Sequence, residues 1–170
     1  MKRYTDKKAA KAINNILSVI RYEGNRRKAF YNPWTKGNNT FFCNEFSMYQ
    51  INGKIPENVR LVPDIEEQNK RAFESARENI INKIFYPTIR NDNLTIIDNP
   101  EIEYIRENRN GNKVQLKGEN TPYYNPKYLI DMVTLFPDGK YYIDRNKGKL
   151  SPLVVVHKNG SGFLLPIRVY

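Results

Sequence analysis

The last third of the chain carries the most regular alternation of apolar runs and turn-forming residues. Pro126 stands where a helix can begin, apolar positions then recur at helical spacing, and Pro137-Asp138-Gly139 ends the pattern. Three short apolar runs separated by glycine-containing turns follow, at residues 140–144, 153–157 and 163–170. Runs of this length between such turns are typical of antiparallel strands. With a strand before Pro126, this region predicts the order strand, helix and three antiparallel strands.

A similar but less regular order occupies the first 53 residues. Apolar residues at helical spacing predict an amphipathic helix over residues 6–21, with an apolar side formed by Ala9, Ala12, Ile13, Ile16, Leu17 and Ile20. Residues 29–31 predict a short strand, and the aromatic-rich run 40–51 predicts a longer one. A loop at 55–63 then precedes a helical stretch over 65–85, which Pro87 is expected to end.

These elements predict one α+β domain spanning residues 1–170. A strand at 94–97 and a hairpin around Asn110-Gly111 lead into the regular last region. The two halves, about 1–53 and 94–170, would each follow a βαβββ-type order, and a loop and helical segment at 54–93 would join them. We expect the helices on one face of a continuous antiparallel sheet.

The charge of the chain points to a polyanionic partner. It has 28 basic and 18 acidic residues, a net charge of +10 and a pI near 9.6, which is typical of proteins that bind nucleic acid. The alternative is that the charge serves only solubility. A single cysteine excludes an intrachain disulfide. The polar first residues and the lack of an apolar run of about 18 residues favour a cytoplasmic protein without a membrane-spanning segment.

Candidate catalytic groups are few. His157 is the only histidine and is expected at an exposed strand end, while Cys43 lies in an aromatic strand and is expected to be a small buried hydrophobe. No glycine-rich phosphate-binding loop is present. The carboxylate pairs Glu66-Glu67 and Glu101/Glu103 are most simply solvated. We therefore expect no enzyme, no cofactor and no metal, with a carboxylate-dependent enzyme as the remaining alternative.

The segment 123–170 resembles the end of the bacterial DNA polymerase III β sliding clamp. Asn125, Tyr128, Leu129 and Asp131 match the family's helix start, Ser151-Pro152-Leu153 matches its "S-P-L/V" strand, and Pro166 and Arg168 match its closing "M-P-x-R-L". Residues 51–63 resemble the family's connection between domains, through Gly53, Pro56, Val62 and Pro63. The resemblance implies a single DNA-clamp-like domain, of the kind that a phage or mobile element encodes.

Two departures limit this resemblance. Bacterial clamps carry three domains in each chain and close as a dimeric ring, whereas this chain has room for one domain. The helical stretch 65–85 has no clear counterpart in the family. Whether copies assemble into a homo-oligomeric ring or the domain acts alone stays open.

The resemblance implies contact with double-stranded DNA through the helices, because clamp helices face the duplex and bind its phosphates. Lys7, Lys8 and Lys11 are expected on the outer stripe of the first helix, and Arg26, Arg27 and Lys28 add a basic patch. The alternative is that these residues only solvate the surface. The outward stripe of the last helix is expected to be nearly neutral, with Lys127, Asp131 and Thr134.

The resemblance also implies an apolar pocket for clamp-binding peptides of replication or repair proteins. Its predicted lining is Pro56, Val62, Pro63, Leu165, Pro166, Ile167 and Val169. The alternative is that the closing strand only contributes to the core and the sheet edge. The expected function is a non-enzymatic clamp-like module that contacts DNA, replication proteins or both. The alternative function is a phage or mobile-element factor that mimics or interferes with a host clamp.

Overall fold

The computed structural model describes residues 7–22, 27–63, 65, 69–97, 102–107 and 111–168, with the backbone alone at 102–107 and 111–112. Its helices are α1 Lys7–Ile20, α2 Lys70–Ile80, α3 Tyr86–Ile89 and α4 Pro126–Leu135. Its strands are β1 Trp34–Lys36, β2 Asn39–Cys43, β3 Ser47–Asn52, β4 Leu94–Ile97, β5 Ile102–Glu107, β6 Gly111–Leu116, β7 Tyr123–Tyr124, β8 Lys140–Asp144, β9 Leu153–His157 and β10 Gly160–Leu164. A π-helical turn, Ile81–Phe85, joins α2 to α3, and 3₁₀ turns occupy Lys28–Phe30 and Arg145–Leu150.

Seven strands form one antiparallel sheet in the order β1-β2-β3-β10-β9-β8-β4. The remaining three form a small sheet in the order β5-β6-β7, attached to the end of the chain through a bridge between Tyr123 and Ile167. The predicted α+β class and the antiparallel sheet are confirmed. Of the helices in the described residues, none is long and apolar enough to span a bilayer.

One face of the large sheet is covered by α1 and α4. The apolar stripe of α1 is almost fully buried: Ala9, Ala12, Ile13, Ile16, Leu17 and Ile20 are at most 1% exposed. This stripe shares one core with Phe42 and Tyr49 of the sheet and with Met132 and Leu135 of α4. The period of the apolar positions therefore fixes which side of α1 faces the sheet, and the predicted helix is confirmed.

The opposite face is covered by the middle helical segment. Ile81 and Phe85 of the π-helical turn pack with Phe41, Val154 and Phe163, which lie on the sheet's other side. The expectation that the helices lie on one face holds for α1 and α4 but is wrong for the middle segment. The sheet is thus the central layer of three, because β-strand side chains alternate between faces and both faces here are apolar.

One predicted strand is divided in two where a polar side chain replaces backbone pairing. Residues 40–51 were predicted as one strand but form β2 and β3, because Asn44 Oδ1 accepts hydrogen bonds from the backbone N–H groups of Phe46 and Ser47. Its Nδ2 donates to Ile16 O of α1 at 3.2 Å. Because residues 40–51 contain both apolar and polar side chains, a buried asparagine that mimics a turn resembles any other polar position of a strand.

Three other elements differ from prediction. Residues 29–31 do not form a strand, because a 3₁₀ turn spans Lys28–Phe30. The middle helix begins at Lys70 instead of 65. It continues to Ile89, since Pro87 falls within the first two positions of α3, where a missing N–H is tolerated. The final strand was predicted at 163–170 but spans Gly160–Leu164, and Pro166 cannot continue its ladder.

Candidate functional site

The outer side of α1 carries a row of cations. Lys7, Lys8 and Lys11 are all exposed, on the side opposite the buried apolar stripe. Lys7 and Lys11 are one helical turn apart, a spacing of about 6 Å along the axis. The structure therefore places these three predicted residues together on one accessible face.

A loop brings a fourth cation to this face. The connection after β3 runs back beside α1, where Asn14 Nδ2 donates to Asn58 O at 3.1 Å and Asn14 Oδ1 accepts from Arg60 N at 2.8 Å. Between helix and loop lies a shallow hollow of about 380 Å³. Its polar lining includes Lys7, Lys11, Asn14, Asn15, Asn58 and Arg60.

Arg60 is a candidate site residue that sequence reasoning missed. It stands in a loop read only as extended chain, and its position depends on Asn14, 46 residues away in sequence. Arg21, directly after α1, holds the carbonyl side of the same residue by donating from Nη2 to Arg60 O at 2.9 Å. The positive charge of Arg60 is the only feature of the sequence that could have marked it as a site residue.

The second predicted basic group lies elsewhere. Arg26 falls outside the described residues, while Arg27 and Lys28 are exposed at the 3₁₀ turn that follows α1. This turn is next to the C-terminal end of α1, because Arg21 Nε donates to Tyr31 O at 2.6 Å. Lys7 is at the other end of the 14-residue helix, about 20 Å away. The structure does not bring the two basic groups together.

The outer face of α4 differs from that of α1. Ile130 and Val133 are 64% and 43% exposed, beside the exposed Lys127. Asp131 was predicted to point outward, but it is buried and turned towards α1, where Asn15 Nδ2 donates to its Oδ1 at 3.1 Å. Burial raises the pKa of the Asp131 carboxyl, and the hydrogen bond from Asn15 and the charge of Lys11 oppose this shift.

The predicted peptide pocket is divided between two places. The loop starts after Asn52 and the C-terminal segment starts after Leu164, at opposite ends of the β3–β10 pair and about 16 Å apart. Val62 is then held beside β1 by a reciprocal pair of hydrogen bonds with Asn32, at 2.7 and 2.8 Å. Because β1 lies three strands from β10, roughly 14 Å, the structure does not bring the loop residues Val62 and Pro63 to the closing segment.

The closing segment has its own surroundings. Leu165 N donates to Phe46 O at 2.8 Å, and Ile167 N donates to Tyr123 O at 2.7 Å. Leu165 and Phe46 are 40% and 42% exposed, and the Phe46 ring stacks on Tyr128 with centroids 5.5 Å apart. Pro56, from the other predicted wall, is buried, and Val169 lies outside the described residues. The part of the predicted pocket near Leu165 is thus an exposed apolar surface.

Cys43 is poorly suited to nucleophilic chemistry. Cys43 is 1% exposed, as predicted, and burial raises the pKa of its thiol to about 12. A thiol with such a pKa is protonated at neutral pH and is not a nucleophile. Among the described residues no three His, Cys, Asp or Glu side chains form a group that could hold a metal ion. Glu66, Glu67 and Glu101 lie outside those residues, and the side chain of Glu103 is not described.

His157 has a structural role in its neutral form. Its ring packs on Phe136, with centroids 5.8 Å apart, and its Nδ1 accepts from Asn159 N at 3.1 Å. Partial burial and the charge of Lys158 lower its pKa, against the opposing effects of Pro137 O and Asp138. Only an imidazole without a proton on Nδ1 accepts this hydrogen bond.

We expect this histidine to make the protein less stable in mild acid. The unfolded imidazole protonates near pH 6.5 and the folded one at lower pH, so the unfolded state binds more protons between the two values. The stabilisation is fully present above about pH 6.5 and is lost as pH falls through the folded pKa. Between pH 7.5 and pH 5, the urea midpoint of unfolding should fall less for His157→Leu than for the wild type. Equal falls in both proteins would contradict this role.

No protein-family model, curated protein or solved structure matches the chain.

Proposed function

We propose that the chain is a non-enzymatic, clamp-like module that holds double-stranded DNA through its phosphate backbone. The observation that carries the proposal is the exposed row Lys7, Lys8 and Lys11 on α1, with Arg60 beside it. Cations that face solvent from one rigid helix suit contacts to phosphates, which are the same for every base sequence. We name these four residues the α1 basic face.

The order of elements in the sheet supports a clamp-like reading. The unit α1-β1-β2-β3 and the unit α4-β8-β9-β10 have the same order of elements. In the sheet their last strands, β3 and β10, are neighbours, so the strand order is β1-β2-β3 followed by β10-β9-β8. Their helices pack side by side on one face. Two such halves are what the resemblance to sliding clamps implies. The middle helical segment, the small sheet and β4 are additions to that scheme.

The charge distribution limits the proposed DNA contact to the α1 side of the layer formed by α1 and α4. The outer face of α4 presents Ile130 and Val133 where a duplex-facing helix would need cations. The α1 basic face offers about four phosphate contacts, which corresponds to a slope of about −3.6 in log affinity against log salt. Affinity would then fall roughly a hundredfold between 50 and 200 mM salt. A single copy would bind weakly and with little sequence preference.

Charge reversal tests the proposal. The triple variant Lys7→Glu, Lys8→Glu and Lys11→Glu should abolish binding to a fluorescent 20-base-pair duplex at 50 mM salt, because it replaces three of the four phosphate contacts by repulsion. A matched control reverses the exposed Lys140, Lys147 and Lys158, which lie outside the α1 basic face. Fluorescence anisotropy should show near-normal binding for the control.

Two results would overturn the proposal. One is a wild-type protein that does not bind the duplex at 50 mM salt. The other is an equal loss of binding in both triple variants, because binding would then depend on net charge alone and not on α1. Circular dichroism before each titration should show that all three proteins are folded.

The resemblance also implies a peptide partner. The described residues support a peptide partner less well than they support nucleic acid. Only the surface near Leu165 is exposed and apolar, and the loop that would form the other wall is held beside β1. A groove with one wall gives a peptide side chain little burial, and buried anchors supply most of the energy of such complexes. The proposal is therefore confined to nucleic acid.

A further inference from the structure

The hollow between α1 and the loop at Asn58 and Arg60 has the chemistry of an anion site. Three cations, Lys7, Lys11 and Arg60, border it. Among the described residues that line it, none carries a carboxylate. The nearby carboxylate of Asp131 is buried outside the hollow, where its Oδ1 accepts from Asn15 Nδ2 and its charge interacts with Lys11. An anion that entered the hollow would meet positive charge and amide groups.

We propose that this hollow seats a backbone phosphate of the bound nucleic acid, and that Asn14 positions Arg60 to contact it. This inference rests on the proposed function and adds to it a particular residue and a particular seat. Arginine presents a planar fork of donors that matches two phosphate oxygens at once. Lys7 and Lys11 add single charges one helical turn apart, a spacing close to that of successive phosphates on one strand.

The backbone of Arg60 is fixed from both sides. Its N–H donates to Asn14 Oδ1 at 2.8 Å, and its C=O accepts from Arg21 Nη2 at 2.9 Å. The other end of the Asn14 amide holds Asn58 O at 3.1 Å. A loop that is already ordered gives up less conformational entropy when its side chain binds. Asn14 is thus a positioning residue, and Arg60 is the contacting one.

The two roles make different predictions for charge. Arg60→Ala removes a charge and a bidentate contact, so it should weaken duplex binding about tenfold and reduce the salt slope by about 0.9. Asn14→Ala leaves the net charge unchanged. If Asn14 positions Arg60, Asn14→Ala should still reduce the slope, and the double variant should bind no more weakly than Arg60→Ala alone.

The experiment is a salt series of anisotropy titrations with a 20-base-pair duplex for the wild type, Arg60→Ala, Asn14→Ala, the double variant and the charge-matched control Lys140→Ala. The control should keep the wild-type slope, since Lys140 is exposed on β8, away from α1. Arg60→Ala should fold normally, because the hydrogen bonds of residue 60 are made by its backbone. The Arg60→Ala variant therefore tests the inference even if Asn14→Ala is destabilised.

The outcomes separate the two proposals. No duplex binding by the wild type would remove the proposed function, and this inference with it. Normal wild-type binding with an unchanged slope in Arg60→Ala would overturn this inference alone and leave the function standing. A parallel titration with inorganic phosphate, followed through the amide of Arg60 by NMR, identifies the source of the anion. Saturation by millimolar phosphate without duplex binding would also overturn the inference.

Discussion

Replacing Phe85 by alanine should lower the free energy of unfolding by about 3–5 kcal/mol. Phe85 is fully buried between the π-helical turn and the sheet, where it meets Phe41 edge to face at 5.5 Å and Phe163 at 6.2 Å. Truncation leaves a cavity among rings that cannot close around it. Thermal unfolding followed by circular dichroism should show a fall of roughly 10 °C in Tm.

The neighbouring residue provides the control. Ile84 is 49% exposed in the same π-helical turn, so Ile84→Ala should lower the free energy of unfolding by well under half as much as Phe85→Ala does. Equal effects from both substitutions would show that the middle segment is not a packed layer of the fold. Because Phe85 lies on the face opposite the α1 basic face, Phe85→Ala should bind duplex normally at temperatures where it is folded.

Replacing Gly162 by alanine should destabilise the protein by about 3 kcal/mol. Gly162 lies in β10 directly opposite Tyr49 of β3, and a Cβ there would overlap the tyrosine ring and lie 2.8 Å from Met48 O. Tyr49 cannot move aside easily, because its fully buried ring packs on Phe42 and Phe136 at 5.6 and 6.1 Å. The strain would pass from the centre of the sheet to α4.

A glycine without such a neighbour separates packing from backbone effects. Gly37, in the turn between β1 and β2, has φ +60° and no atom within 4 Å of a Cβ built on it. Gly37→Ala should therefore show only the strain of a left-handed backbone, about 1 kcal/mol. Chemical denaturation of the two variants gives the comparison. A smaller effect at Gly162 than at Gly37 would contradict the packing of Tyr49 on β10.

The strongly periodic elements of the fold could be predicted from the sequence. The apolar stripe of α1 buries one side of the helix, and its helical period identifies it. The apolar run of β9 is buried on both faces of the sheet, and its short length between two turns identifies it as a strand. The division of β2 from β3 depends on Asn44, whose side chain replaces a turn inside a mixed run of apolar and polar residues. The passage of the helix through Pro87 depends on the π-helical turn before it. Neither feature changes the hydrophobic pattern, so neither could be predicted from it.

The candidate site was predictable only where one element carries it. Lys7, Lys8 and Lys11 share α1, and helical spacing alone puts them on one face. Arg60 joins them through the two hydrogen bonds of Asn14, which no local pattern announces. The predicted peptide pocket needed two distant segments to meet, and the register of β3 with β10 sends them to opposite ends of the sheet.

The β3–β10 pair at the centre of the sheet has a consequence for how the chain is made. The pair joins residues such as Gln50 and Ser161, which are 111 positions apart. A ribosome adds about 5–20 residues per second, so β10 is synthesised between about 5 and 20 s after β3. Through that interval the apolar strand with Met48, Tyr49 and Ile51 has an open edge, the kind of surface on which nascent chains associate wrongly. Synthesis of this protein should therefore depend on holding chaperones more than its modest size suggests.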